Sequence, residues 1–145
     1  MDVSFVRNGD TPDYVILKFD EEKLELSSVS TDERRAIYEL DTLNGTYQFF
    51  EVFCSDLPLG KHFHLKKDEE FTILSGKGFV LLCTVNDDCS QKGEVQKIDL
   101  VPGSVVKVPS GTAHTFYLDS ESSMACVSTM PFDASDMIPV GWLVQ

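Results

Sequence analysis

Basic residues are the scarce class in this chain: 12 lysines and arginines stand against 24 aspartates and glutamates, a formal charge of −12 over 145 residues. Such a surface repels a polyanion, and no basic face with interleaved aromatics is present to stack on bases, so nucleic acid is not expected as a partner. Long apolar runs are missing too, none approaching the ~20 residues of a membrane-crossing helix, so no membrane partner is expected either. The opening, Met1 to Asp10, lacks the basic start, apolar stretch and cleavage site of a secretory signal, which makes a cytoplasmic protein the expectation. There is no Cys-x-x-Cys pair, which argues against a zinc ribbon or a thioredoxin-type redox site. Of the four cysteines, Cys54, Cys83 and Cys126 lie in apolar β-like runs, where a reduced thiol behaves as a small hydrophobe. Cys89 lies in a polar turn, and a Cys83–Cys89 disulfide would have to survive a reducing cytosol.

What is present is a succession of short strands. Glycine and proline punctuate them at close intervals and no helical periodicity is sustained, which indicates an all-β sandwich or barrel. The length fits one domain, 1–145. Residues 1–45 read as strands flanking a barrel, with Tyr14 to Phe19, Leu24 to Leu26 and Arg34 to Leu40 extended and the polar Ser27 to Asp32 a loop. Residues 46–130 read as the barrel core and 131–145 as a tail with one helical turn. Trp142 in that tail is expected to pack on the barrel or on a subunit. After the Asn44-Gly45 turn comes the longest β run, Thr46 to Cys54. Both of its faces are bulky, which predicts a central strand with a second sheet or a partner subunit on one side, and hence a homodimer. Its polar members, Gln48 and Glu51, mark whichever face looks into a pocket.

Two stretches carry the chemistry. In Gly60-Lys61-His62-Phe63-His64 the two histidines are one residue apart, so in a strand they point to the same side. Past a charged turn, Glu69 shares its parity with Phe71 and Ile73, and a strand that buries those two aims the Glu69 carboxylate inward. In the second stretch, Val105 to Val108 leads through Pro109-Ser110-Gly111 to His114, which opens another β run to Leu118. Pro109 fixes φ there and Gly111 permits the positive φ of a reversing chain.

These stretches resemble the paired motifs of the cupin superfamily: His-x-His followed by Glu and Gly, then Gly, Pro-x-Gly and a last His. The resemblance covers about the central half of the chain and rests on motif spacing. It implies a double-stranded β-helix, or jelly-roll barrel, with one divalent transition-metal ion (Fe, Mn, Ni, Cu, Co or Zn) held by His62, His64, Glu69 and His114. Glu69 fits better than Glu70 because it keeps the family's spacing to Gly76. Asp56 stands where the family has its first glycine, with Gly60 the nearest one, and Leu118 stands where an asparagine is common. Neither is a ligand position. All three histidines of the chain occupy template positions.

Three functions follow from that resemblance. The first is a metal-dependent enzyme of oxygenase type acting on a chelating small-molecule substrate, with Glu69 as ligand and proton carrier. The second is a sugar-nucleotide isomerase or epimerase in which His62 or His64 moves protons without a metal. The third is a non-catalytic small-molecule binding module. Gln48, Glu51, Phe71, Ile73 and Phe116 are the candidate pocket walls. Lys61, Lys66 and Lys67 form a basic cluster beside the ligands, read first as a solvated loop and second as a lure for an anionic substrate.

Overall fold

The structure, a computed structural model, describes residues 2–6 and 13–145. The part of the opening at residues 1 and 7–12, on which the leader reading partly rests, lies outside them. Among the described residues there are thirteen strands and one 3-10 turn, Ala134–Asp136, and no α-helix. No helix among them is long and apolar enough to cross a membrane. An eight-stranded sheet runs from edge to edge as β1 (Asp2–Val6), β2 (Tyr14–Phe19), β3 (Glu22–Thr31), β4 (Arg35–Thr42), β5 (Gly45–Val52), β12 (Ser123–Ser128), β7 (Glu69–Ser75) and β10 (Val105–Val108). A five-stranded sheet runs β13 (Met137–Pro139), β6 (Leu59–His64), β11 (Thr112–Leu118), β8 (Gly78–Thr84) and β9 (Gln96–Leu100).

The sheets face each other across one apolar core. Phe71 and Ile73 of β7, Val106 and Val108 of β10, and Met124 of β12 meet Leu59, Val80, Phe116 and Leu118 from the opposite sheet. Period-2 alternation explains why: these residues recur at every second position, so each strand presents one apolar face to the interior. A second cluster lies outside the five-stranded sheet, where Val140 and Leu143 of the tail cover Phe63, Leu81 and Ala113. Trp142 stays 41% exposed while its indole N–H donates to the Cys89 carbonyl at 2.8 Å. All four cysteines are free.

A third cluster covers the outer face of β4 and β5, where Val15, Leu17, Leu26, Tyr38 and Phe49 are buried together. Phe5 of β1 stacks edge-on against Phe49 at 5.6 Å and Tyr38 at 6.3 Å, although β1 is four strands from β5 in the sheet order. The meander therefore curls back over its own sheet. The apolar second face of β5, which suggested a partner subunit, is covered from within the chain. The polar stretch expected to be a loop is also different: β3 continues to Thr31, pairing with β4 through a shift in register between Ser28 and Ser30. Ser27, Val29 and Thr31 are exposed while Ser28 and Ser30 are half-buried, and the backbone of the stretch stays in the ladder.

Candidate metal centre

His62 and His64 lie on β6 and His114 on β11, in adjacent strands with His114 directly opposite His62. The local pairing contains one extra residue. Thr115 pairs with Gly60 and His114 with His62, leaving Lys61 outside the register. Gly60 at φ +91° and Lys61 at φ +59° carry this bulge. Its effect on the site is direct. Leu59 and His62 are three positions apart and would face opposite ways in a regular strand, but the bulge turns both into the barrel, against Phe116 and His114.

The three imidazoles converge. Their ring centroids lie 4.7 Å (His62–His114), 4.8 Å (His62–His64) and 5.6 Å (His64–His114) apart. One ligand atom from each lies within 4.8 Å of the others. Glu69, the first residue of β7, crosses from the facing sheet: its Oε1 is 2.9 Å from His64 Nε2 and 3.6 Å from His114 Nε2. Ligands about 2.1 Å from a common ion sit about 3 Å apart at right angles and about 4.2 Å apart across it, which is the scale of these separations. The Glu69–His64 approach is close but poorly aligned, and Glu69 Oε1 is left without a hydrogen-bond partner, as is the buried His64 Nδ1. A buried carboxylate oxygen with no donor is costly, and a cation at this point would satisfy it. The donor set therefore fits the ion that the motif implies.

The electrostatics agree with a ligand set. Burial, reinforced by the charges of His114 and His64, lowers the His62 pKa to about 2, and burial pulls His114 down as well. Imidazoles so placed are neutral at physiological pH, the form that binds metal. Burial alone would raise the Glu69 carboxyl, but the His64 contact and the charges of His114, His64 and Lys67 outweigh it and hold Glu69 at about 2. The carboxylate is thus ionised.

Behind His64 stands a residue that the sequence reading missed. Asp136, buried in the 3-10 turn, places Oδ2 3.3 Å from His64 Nδ1 and accepts from the backbone N–H of Lys66 (2.9 Å) and Lys67 (3.3 Å). It backs the imidazole from the side away from Glu69 and pins the loop that leads to Glu69. Asp68 ties the same loop to the Pro109-Ser110-Gly111 turn by accepting from Ser110 N at 2.8 Å, and Gly111 N donates to His64 O at 2.9 Å.

The cavity beside these groups has a free volume of about 50 Å³, and its wall includes Gln48, Phe50, Lys67, Phe71, Phe116 and Phe132. Four expected residues are thus placed as follows. Gln48, Phe71 and Phe116 line this cavity, and Ile73 lies deeper in the same core. Glu51 does not join them and is a correction. It has odd parity on β5 where Gln48 is even, so it points through the opposite face into an open outer groove of about 850 Å³ that contains none of the three histidines. The expectation for Lys67 also needs revision: Lys66 is exposed, but Lys67 is buried in the cavity wall.

Two facing antiparallel sheets with three histidines and a glutamate between them make this the cupin fold. No known protein-family profile matches the chain, and none of the curated proteins does. Solved structures do resemble it. The capsular polysaccharide assembling protein CapF from Staphylococcus aureus superposes with a TM-score of 0.65 at 24% identity, over 79% of this chain and 34% of that one. A variant of Bacillus subtilis oxalate decarboxylase gives a TM-score of 0.60 at 14% identity, over 76% of this chain and 29% of that one. A variant of Streptomyces PAC13 with uridine gives 0.57 at 13% identity, over 78% of this chain and 82% of that one. The chain thus corresponds to about a third of the length of CapF.

Proposed function

We propose that this protein is a metal-dependent cupin enzyme that holds one divalent transition-metal ion through His62, His64, Glu69 and His114 and acts on a small chelating molecule. The observation that carries the reading is the meeting of three buried or half-buried imidazoles with an ionised carboxylate whose Oε1 has no hydrogen-bond partner. When bound, such an ion supplies Lewis acidity and positions for substrate or dioxygen. The chain's own contribution is to orient His64 from Asp136, to exclude water with Phe50, Phe71 and Phe116, and to keep Glu69 ionised beside the reacting molecule. Within this reading we favour oxygenase chemistry on a diketone, enediol or phenol. One of the CapF structures carries 3-isopropenyl-tropolone as inhibitor, a molecule whose adjacent oxygens chelate metals, and this supports bidentate capture.

A sugar-nucleotide isomerase is the second reading, favoured by one observation: the PAC13 structure with uridine is matched over most of its length. Against it, the free volume of about 50 Å³ is small for a sugar nucleotide. A cytoplasmic setting and a homodimer remain part of the proposal.

Elemental analysis of the purified protein tests the core of the reading, with close to one transition-metal ion per chain expected. Oxygen uptake with a panel of diketones and catechols separates the two chemistries. Metal without oxygen uptake on any of them removes the oxygenase chemistry but keeps the metal centre, and no metal after loading removes both and moves the assignment to the metal-free isomerase.

A further inference from the structure

We propose that Lys67 anchors the ligand of this cavity and that the ligand is a small carboxylate of about two to four carbons. The inference rests on the reading above and narrows it: among small chelating molecules it selects those that carry a carboxylate, which leaves out the phenols. Lys67 is 3% exposed, unlike its exposed neighbour Lys66, because Asp136 holds the backbone of both residues and turns the Lys67 side chain into the barrel. Its ammonium has three N–H donors, yet among the described residues none finds an acceptor within hydrogen-bond distance. The nearest anion is Glu69 Oε2 at 3.8 Å.

That single counter-charge is already shared. Glu69 faces His64 and His114 through Oε1, and a metal ion at the four ligands would draw the same carboxylate. A contact of 3.8 Å leaves the Lys67 ammonium loosely paired, so it has room to take a second anion. Nothing else in the wall provides one. Gln48 has its amide N–H committed to Glu39 Oε1 at 2.7 Å, and the remaining surface is mostly Phe, Leu and Met side chains. A ligand entering here meets one loosely paired cation, apolar walls and room for a few heavy atoms. A short-chain carboxylate matches all three: its anionic end replaces Glu69 as the counter-charge of Lys67, and its carbon chain displaces water from the phenylalanines.

The test is a titration of the ¹⁵N-labelled, zinc-loaded protein with sodium propionate and with propionamide, its neutral isostere, following amide signals, for wild type and K67M. Zinc content is measured on the same samples. We expect K67M to bind propionate at least about tenfold more weakly while its affinity for propionamide stays within about twofold. K67R, which keeps the charge, should retain propionate binding, and K67Q replaces K67M if the latter does not fold. Equal propionate affinity in wild type and variant overturns the inference, as does a wild type that binds propionate no better than propionamide. If no sample holds zinc, the metal reading fails by itself, and the same comparison on the metal-free protein still decides the role of Lys67.

Discussion

Gly60→Ala is the substitution that links backbone geometry to the metal centre. Gly60 has φ +91°, and a Cβ placed on it would lie 2.6 Å from the carbonyl oxygen of His114 and 3.3 Å from His114 Cδ2. Ordinary contact begins near 3.4 Å, so one of the two strands must move by about 0.8 Å. The obstacle is backbone, which cannot rotate away as a side chain can, and the strand that yields carries His62 or His114. Left-handed backbone costs a non-glycine residue about 1–2 kcal/mol, and the clash adds a comparable amount. We therefore expect urea unfolding of the metal-free variant to show a loss of about 2–4 kcal/mol. Ligand geometry tolerates errors of only about 0.5 Å, so metal affinity, measured by competition with a chromophoric chelator, should fall at least about tenfold. Gly103→Ala provides the control, since Gly103 has φ +92° with nothing within 4 Å of an added Cβ. It should show the backbone cost alone and wild-type metal affinity. Equal metal affinity in the two variants would refute the claim that the bulge aims His62.

Other outcomes follow from the same geometry. His64→Ala removes a ligand and should lower metal content sharply; retention at the wild-type level would take His64 out of the set. Asp136→Ala removes the carboxylate behind His64 and should weaken metal binding by about 10–100-fold, with titration calorimetry as the readout. For the metal-free protein, acid sensitivity has a definite sign. The unfolded chain binds a proton at His62 near 6.5 while the folded protein resists until about 2. Stability is therefore full above about pH 6.5 and falls below it by up to about 1.4 kcal/mol per unit from this group, with Glu69 adding its own loss as pH drops from 4.5 toward about 2. A urea midpoint that stays flat between pH 7 and pH 4 would contradict this.

Much of the site was legible because strand alternation is a strict rule. The parity of His62 with His64, and of Glu69 with Phe71 and Ile73, predicts which residues share a face without knowledge of the fold. Alternation does not say which face is inward, and so Gln48 and Glu51, one odd and one even, could not both line the pocket. Lys67 carried a usable signal, since it continues the odd series of Glu69, Phe71 and Ile73, but it reads as surface charge when only composition is weighed. Asp136 carried none: its contacts with His64 and with the backbone of Lys66 and Lys67 span about seventy residues and exist only in the folded chain. The bulge was half visible, in a glycine two residues before His62. The extension of β3 through Ser27 to Thr31 was hidden because pairing with β4 outweighs a composition that favours turns.

Anomalous diffraction from crystals grown with a transition metal tests the central claim most directly. The account predicts one peak within about 2.3 Å of a nitrogen of His62, His64 and His114 and of an oxygen of Glu69. A peak that omits any of these four, or none in a protein saturated with the metal, would contradict it.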